Sequence, residues 1–467
     1  MNKDTTAITE IILKAAEKAR RETDSEPEPE LTKPADWPIT CTVGPGLEGA
    51  IACESKIGYV NGAKGWLIYR GYDIFDLCAY SNFEEVCFLL LHGNLPNKKE
   101  LEDYRKKLYN YGHVTQTIRT IMGFPVEKMN TMGALRLGTN MMRQEFTNLD
   151  MGDYDLSSMD VIGSDEDSIA METPPKGGTH ATYEFSRKPS SKSTKTARQR
   201  DIETSSGIEA CHHLIAGVAT IMAAIARIHD KRMPLEPHPE LSFAANLLYM
   251  INGKKPTASE ERIMDICLIL HADHGMNAST FAAMVVASTL ADMYFSVGAG
   301  IAALSGPLHG GANEAVVKML REIGSPGNVD TWLKSKLETN KKVVGFGHRV
   351  YKSYDPRARI LGPIAEHLVS QRKKSRILYE TAQELEKRVV ERLGSQKKIF
   401  PNVDFYSGIV YGCMGIDFDF FTPLFAVSRV SGWTARVLEY MENNRIFRPR
   451  ALYTGEFNKQ VVPIDKR

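Results

Sequence analysis

The chain has 467 residues, and 58 Lys and Arg against 57 Asp and Glu leave a formal net charge of +1 at pH 7. That length excludes a single small module and favours two lobes, and that charge supplies no global field for nucleic acid or an acidic membrane, so small molecules are the expected partners. Seven cysteines without CxxC spacing argue against a disulfide framework and a zinc ribbon and fit reduced thiols in a cytosolic protein.

Residues 1–36 start as a charged amphipathic segment and pass into a Ser-Glu-Pro-Glu-Pro-Glu run, which reads as a flexible appendage with at most one short helix. No apolar signal core, transit composition or peroxisomal tripeptide is seen, so the expected location is cytoplasmic. From 38 to 73, glycine-punctuated alternation predicts one or two small hairpins.

After Asp76 the pattern turns helical, with Asn97 as an N-cap, and continues to about Thr147. Residues 148–206 form a polar stretch far longer than the usual loop of about 4–6 residues. They read as a disordered surface insertion, tolerated because loop lengthening costs little closure entropy.

Helical pattern resumes at Ile208, apolar nearly all round; its adjacent His212 and His213 point about 100° apart and do not suit a metal pair. Further helices are predicted over 238–252 and 257–274. One long apolar run, 281–304, is read as a buried core helix, since Asp292 near its middle argues against a membrane span. Helices follow over 313–322, 329–339, 356–371, 374–394, 404–414 and 420–442, then an Arg- and Pro-containing tail. The predicted class is all-α with a minor N-terminal β-hairpin region.

Five stretches carry candidate chemistry. In Ser305–Glu314, His309 sits in a tight turn just before a helix, where the positive dipole end disfavours an imidazolium and leaves a neutral donor suited to a developing oxyanion. A turn histidine serving the local backbone fits that stretch equally well.

In 344–357, two glycines precede His348, and Asp355 with Pro356 starts a helix that puts Arg357 in its first turn. A bound carboxylate would suit that guanidinium; a solvated surface arginine is the bland alternative. Arg429 shares an apolar face with Phe425 and Trp433, so it needs an anionic partner, either a ligand or a structural acid. Asp404 is a helix cap or a carboxylate base with a raised pKa. His271 and His274 lie at i, i+3, but HExxH spacing and a third ligand are missing, so no metal is expected.

Taken in order, HADHGMNAST, GPLHGGANEA, GFGHRVYKSYDPRA, PNVDFYSG, FAVSR and RPRALYTG resemble the citrate synthase family, from about residue 40 to 467. The resemblance implies an all-α fold whose two domains close over substrate: a large domain, 37–309 with the 148–206 insertion, a small domain, 310–420, and a return to the large domain, 421–467. It implies that Asp404 removes a methyl proton from acetyl-CoA, that His309 hydrogen-bonds the enol or enolate oxygen, and that His348 polarises the ketone of oxaloacetate.

By the same resemblance, Arg357, Arg429 and Arg448 clamp the carboxylates and His274 helps hold the oxo acid, with Arg448 reaching across a homodimer. Lys352 would meet the coenzyme A phosphates, and Val344, Gly345 and Gly347 would offer backbone contacts. No Walker A or GxGxxG pattern is present, so the CoA thioester is expected as substrate with no cofactor. The implied activity is citrate synthase; 2-methylcitrate synthase using propionyl-CoA and a catalytically silent CoA-binding regulator are the alternatives. Gly275-Met276 departs from the bulkier pair usual in the family, and the 148–206 insertion is foreign to most members.

Overall fold

Residues 3–26, 32, 37–145, 197–370, 375–457 and 459–467 are described in the computed structural model. The first helix, α1 (Lys3–Glu22), carries Ile8, Ile12, Ala15, Ala16 and Ala19 on one buried face. That face packs on the helices at Ile74–Tyr80, Ala258–His271 and Pro356–Ser370. Within the segment 1–36 read as a flexible appendage, Lys3–Glu22 is instead a helix whose apolar spacing docks it on the core.

Three short strands follow in an antiparallel sheet of order β1-β2-β3: β1 (Gly58–Asn61), β2 (Trp66–Tyr69) and β3 (Tyr72–Asp73). Gly58 pairs with Tyr69, Asn61 with Trp66, and Tyr69 with Tyr72. The tip of the first hairpin presses on the loop at 350–353: Lys352 N–H donates to the Gly62 carbonyl at 2.9 Å, and Ser353 Oγ donates to it at 3.1 Å. A Cβ on Gly62 would lie 2.0 Å from the Val350 carbonyl oxygen, so only glycine permits this approach.

Helices α2 (Ile74–Tyr80), α3 (Phe83–His92), α4 (Lys98–Tyr111), α5 (Thr115–Met122) and α6 (Thr131–Met141) come next. Asn82 and Asn97 each form a capping box with the glutamate three residues on. The long helix α7 (Ala197–His229) begins eleven residues earlier than the sequence pattern suggests, inside the stretch read as an insertion. The rest of that stretch, 148–196, lies outside the described residues. By length and composition Gly207–His229 could cross a membrane, yet 89% of its most apolar window is buried within the protein, against α17, α6, α8 and α4 as defined here and below.

Helices α8 (Phe243–Asn252) and α9 (Ala258–His271) precede a second correction. The run 281–304 is not one helix but two, α10 (Ala278–Ser288) and α11 (Met293–Leu304). Leu290 adopts φ +66°, and Asp292 caps α11 by accepting the Phe295 amide at 3.0 Å, which satisfies a helix end in the middle of an apolar sequence.

The remaining helices are α12 (Ala312–Ile323), α13 (Val329–Glu338), α14 (Pro356–Ser370), α15 (Arg376–Val389), α16 (Val403–Cys413) and α17 (Phe421–Met441). Among them α12 packs on α16, α13 on α15, and α14 on both α15 and α16, whereas α17 returns to α7, α10 and α11. The fold is all-α, with one small sheet among the described residues, as the sequence pattern predicts.

Candidate active site

His309 lies between α11 and α12. Its N–H donates to the Gly306 carbonyl at 2.9 Å, and the Gly310 amide reaches the same carbonyl at 3.2 Å, closing the turn that Gly306-Pro307 opens. Ser279, near the start of α10, directs its backbone N–H at His309 Nε2 from 3.2 Å, with its hydroxyl at 2.8 Å. Nε2 is therefore an acceptor and the ring proton resides on Nδ1. Burial first, then the positive charge of Arg429, pulls the His309 pKa down to about 4, so the ring is a neutral donor.

The loop before His348 is folded onto 400–402. Gly345 and Gly347 take φ +82° and +80°. The Gly347 N–H donates to the Phe400 carbonyl at 2.8 Å, and the Asn402 N–H to the Gly345 carbonyl at 2.9 Å. A Cβ on Gly345 would come within 2.7 Å of Val316 and 2.9 Å of Phe405, so this glycine lets the loop lie against α12 and α16. The Gly347 amide and the Gly345 carbonyl are thus both engaged within the fold.

His348 Nδ1 accepts the N–H groups of Val350, at 3.0 Å, and Tyr351, at 3.2 Å. Its proton thus sits on Nε2, the opposite tautomer to that of His309, and burial lowers its pKa to about 4. The His274 ring centroid is 5.2 Å from that of His348, and His274 Nε2 is 3.1 Å from the Tyr351 hydroxyl. Burial and then the Arg357 charge hold His274 well below the ordinary histidine pKa. Beside it Gly275 adopts φ +60° and donates to Asp273 Oδ2 at 3.1 Å, a conformation that suits glycine there.

Two of the three arginines expected to form a clamp are buried. Arg357 is gripped by Asp355 through Nε to Oδ1 at 2.9 Å and Nη2 to Oδ2 at 2.7 Å, so the solvated-arginine alternative does not hold. Asp355 Oδ1 also accepts the Arg357 amide, as a helix cap should, and Oδ2 accepts the Val403 amide, tying α14 to α16. Arg429 has no acid in hydrogen-bond contact among the described residues. Its Nε donates to the His271 carbonyl at 2.5 Å, its guanidinium lies 4.6 Å from the Phe425 ring centroid, and Nη2 is buried without a partner. Burial lowers the Arg429 pKa to about 10.

Arg448 lies exposed beyond α17, and Lys352 is exposed beside His348's loop with Nζ near the Arg349 carbonyl. Neither is drawn into the group formed by His274, His348, Arg357, Arg429 and Asp404. His271 Nδ1 is 2.7 Å from the Cys267 carbonyl of its own helix.

Asp404 is not the cap of α16. Asn402 fills that place by accepting the Asp404 amide at 3.1 Å, which leaves the Asp404 carboxylate spare. Burial raises its pKa to about 7, against the lowering influence of Arg357 and Arg429. A partly buried carboxylate near neutrality, two histidines fixed as neutral donors and an unpaired guanidinium can abstract a weakly acidic proton, stabilise the oxyanion that forms, and hold a carboxylate.

Sequence reasoning missed Ser279, Tyr351, and the pair Asp273–Arg436, in which Arg436 Nε and Nη2 reach Asp273 at 2.6 and 2.7 Å. The available signal was faint: Asp273 stands between two histidines, and Arg436 follows Arg429 by two helical turns.

Comparison with known proteins adds an independent line. A family model described as "Citrate synthase, C-terminal domain" matches residues 46–450. Citrate synthase of Acidithiobacillus ferridurans is 39% identical over 91% of this chain and 98% of its own length. Citrate synthase 2 of Bacillus subtilis is 40% identical over 90% and 98%. Among solved structures, citrate synthase from Thermoplasma acidophilum, determined as a ternary complex with carboxymethyl coenzyme A and oxaloacetate, aligns with TM-score 0.76 at 32% identity, covering 92% of this chain and 100% of that one. The Pyrobaculum aerophilum citrate synthase gives TM-score 0.75 at 36% identity, over 94% and 100%.

Proposed function

The chain belongs to the citrate synthase family, and from that membership we propose that it condenses acetyl-CoA with oxaloacetate and water to give citrate and CoA. The observation that carries this reading is the buried guanidinium of Arg429, whose Nη2 has no partner and which has no acid bonded to it among the described residues, so that it calls for a carboxylate from outside the chain. The relative from Thermoplasma holds oxaloacetate and a CoA analogue in its structure.

In the proposed reaction Asp404 takes a proton from the methyl carbon of acetyl-CoA, and the Nδ1–H of His309 hydrogen-bonds the enol or enolate oxygen. The nucleophilic carbon attacks the ketone of oxaloacetate, whose oxygen is polarised by His348 Nε2–H and takes up a proton as the C–C bond forms. Water then cleaves the thioester, releasing CoA and citrate. His274, Arg357 and Arg429 orient the oxo acid. The opposite tautomers of the two histidines support these roles, because each presents an N–H while the backbone fills its other nitrogen.

The domain division is part of the same proposal: 310–420 forms a small domain that closes on the remainder and excludes water until hydrolysis. The exposure of Arg448 supports a homodimer in which it reaches the neighbouring site, and exposed Lys352 is available to the CoA phosphates. Val344, Gly345 and Gly347 are the backbone candidates for CoA. Seven free cysteines support a reducing, cytoplasmic setting.

Thiol release measured in parallel with acetyl-CoA and propionyl-CoA, each with oxaloacetate, tests the assignment. Turnover with acetyl-CoA is expected; a clear propionyl preference makes the protein a 2-methylcitrate synthase, and release from neither thioester leaves the silent regulator.

A further inference from the structure

Two tyrosines beside the reacting groups share one half-buried carboxylate. Glu386, on α15, accepts the Tyr354 hydroxyl on Oε1 and the Tyr406 hydroxyl on Oε2. Tyr354 immediately precedes Asp355, whose carboxylate holds Arg357 and accepts the Val403 amide. Tyr406 stands two residues beyond Asp404 on the first turns of α16.

The surroundings fix both rings. The Arg359 guanidinium lies 4.4 Å from the Tyr354 ring centroid and is itself paired with Glu22 of α1. A Cβ on Gly362 of α14 would lie 3.2 Å from the Tyr406 ring, so that ring is held close to the α14 backbone. Burial raises the Glu386 pKa, against the lowering influence of the Tyr406 hydroxyl and then of Lys18 on α1.

A carboxylate in such a place carries a desolvation cost that an apolar side chain would avoid. What it supplies in return is a joint between two segments, one bearing the arginine clamp and the other the base. Catalysis is sensitive to that spacing, since a misplacement of about 1 Å can cost about 100-fold.

We propose that Glu386 is a positioning residue: by holding Tyr354 and Tyr406 on its two oxygens, it sets the position of Arg357 relative to Asp404. The substrates that report this effect are those of the citrate synthase reading, on which the proposal rests.

The test compares Tyr354→Phe, Tyr406→Phe, Glu386→Gln and Glu386→Ala in the full chain, using acetyl-CoA and oxaloacetate. Tyr354→Phe is expected to raise the oxaloacetate KM roughly fivefold with kcat within about twofold, and Tyr406→Phe to lower kcat roughly tenfold with KM held. Glu386→Ala should show both losses. Glu386→Gln, which accepts from one tyrosine and donates to the other, should recover most of them.

Phenylalanine variants that lower only the melting temperature, or that both show the same loss in KM and kcat, overturn the proposal. Turnover of the unmodified chain is read first, and its absence sinks the functional reading alone. Position is also read without turnover, from the pH midpoint of the protonated Asp404 carboxyl band in infrared spectra differenced against Asp404→Asn. A midpoint shifted in Glu386→Ala upholds the proposal; an unshifted one overturns it.

Discussion

Arg429 and Arg436 lie two turns apart on α17, both buried, yet among the described residues only Arg436 is bonded to a carboxylate. Asp273 binds Arg436 through two hydrogen bonds, while Arg429 has the His271 carbonyl and the Phe425 ring. The two substitutions should therefore part company. Arg436→Met leaves Asp273 buried and unpaired and should cost about 3–5 kcal/mol of stability. Arg429→Met should leave the melting temperature unchanged or higher and weaken oxaloacetate binding roughly 100-fold, the loss of a charged hydrogen-bonding partner. Denaturant unfolding and oxaloacetate titration check both; equal destabilisation by the two changes would contradict the assignment of Arg429 to substrate.

The pH dependence follows from Asp404. Its pKa rises to about 7 through burial, so the carboxylate needed as base is half formed at that pH and predominates above it. Acetyl-CoA turnover should climb through pH 6–8, with a midpoint of about 7, and level off above. The stability sign is the reverse: a buried acid with a raised folded pKa loses stability as pH rises from its unfolded value, about 3.9, through about 7. Asp404→Asn should then melt higher than the parent at pH 8, with the difference vanishing near pH 4, and its kcat should fall about 100- to 10,000-fold. Retention of most of kcat would remove Asp404 from the role of base.

The two site histidines should be visible as opposite neutral tautomers. Backbone amides point at Nε2 of His309 and at Nδ1 of His348. Nitrogen-15 spectra of histidine-labelled protein at pH 7 should show His309 protonated on Nδ1 and His348 on Nε2. Neither should titrate until the pH approaches about 4. A charged ring at pH 7 in either place would exclude the proposed donor role.

Helix α1 should contribute to global stability. Ile8 and Ile12 are fully buried against neighbouring helices. Each change to alanine should cost about 2–5 kcal/mol in denaturant unfolding. Unchanged unfolding midpoints in both variants would return the segment to the status of an appendage.

Much of the architecture and the identity of several candidate site residues are legible in the sequence. Asn97 caps a helix where its spacing predicts, and Asp355-Pro356 opens one. His309 and His348 stand out because glycine and proline isolate them. Their tautomers are not legible, because these depend on which amide faces which nitrogen, and Ser279 comes to His309 only when α10 folds beside the turn. The same holds for Asp273 and Arg436, 163 residues apart in the chain.

Two errors have local causes. In the run 281–304, Asp292 reads as a charge within an apolar helix, although a short polar residue is equally suited to starting one. At the N-terminus, the Pro-Glu run outweighed an isoleucine and alanine stripe that was itself visible.

The contact between Gly62 and Ser353 spans 291 residues. Every side chain proposed for the chemistry lies at or beyond His274, so a fragment starting at residue 80 would carry all the acids, donors and clamps. It would nevertheless lack the hairpin surface that fixes Lys352 and Ser353 just past His348. Peptide 1–79, which carries both the hairpin and α1, is then the piece expected to complement such a fragment when supplied separately, restoring function without bringing a single reactive group.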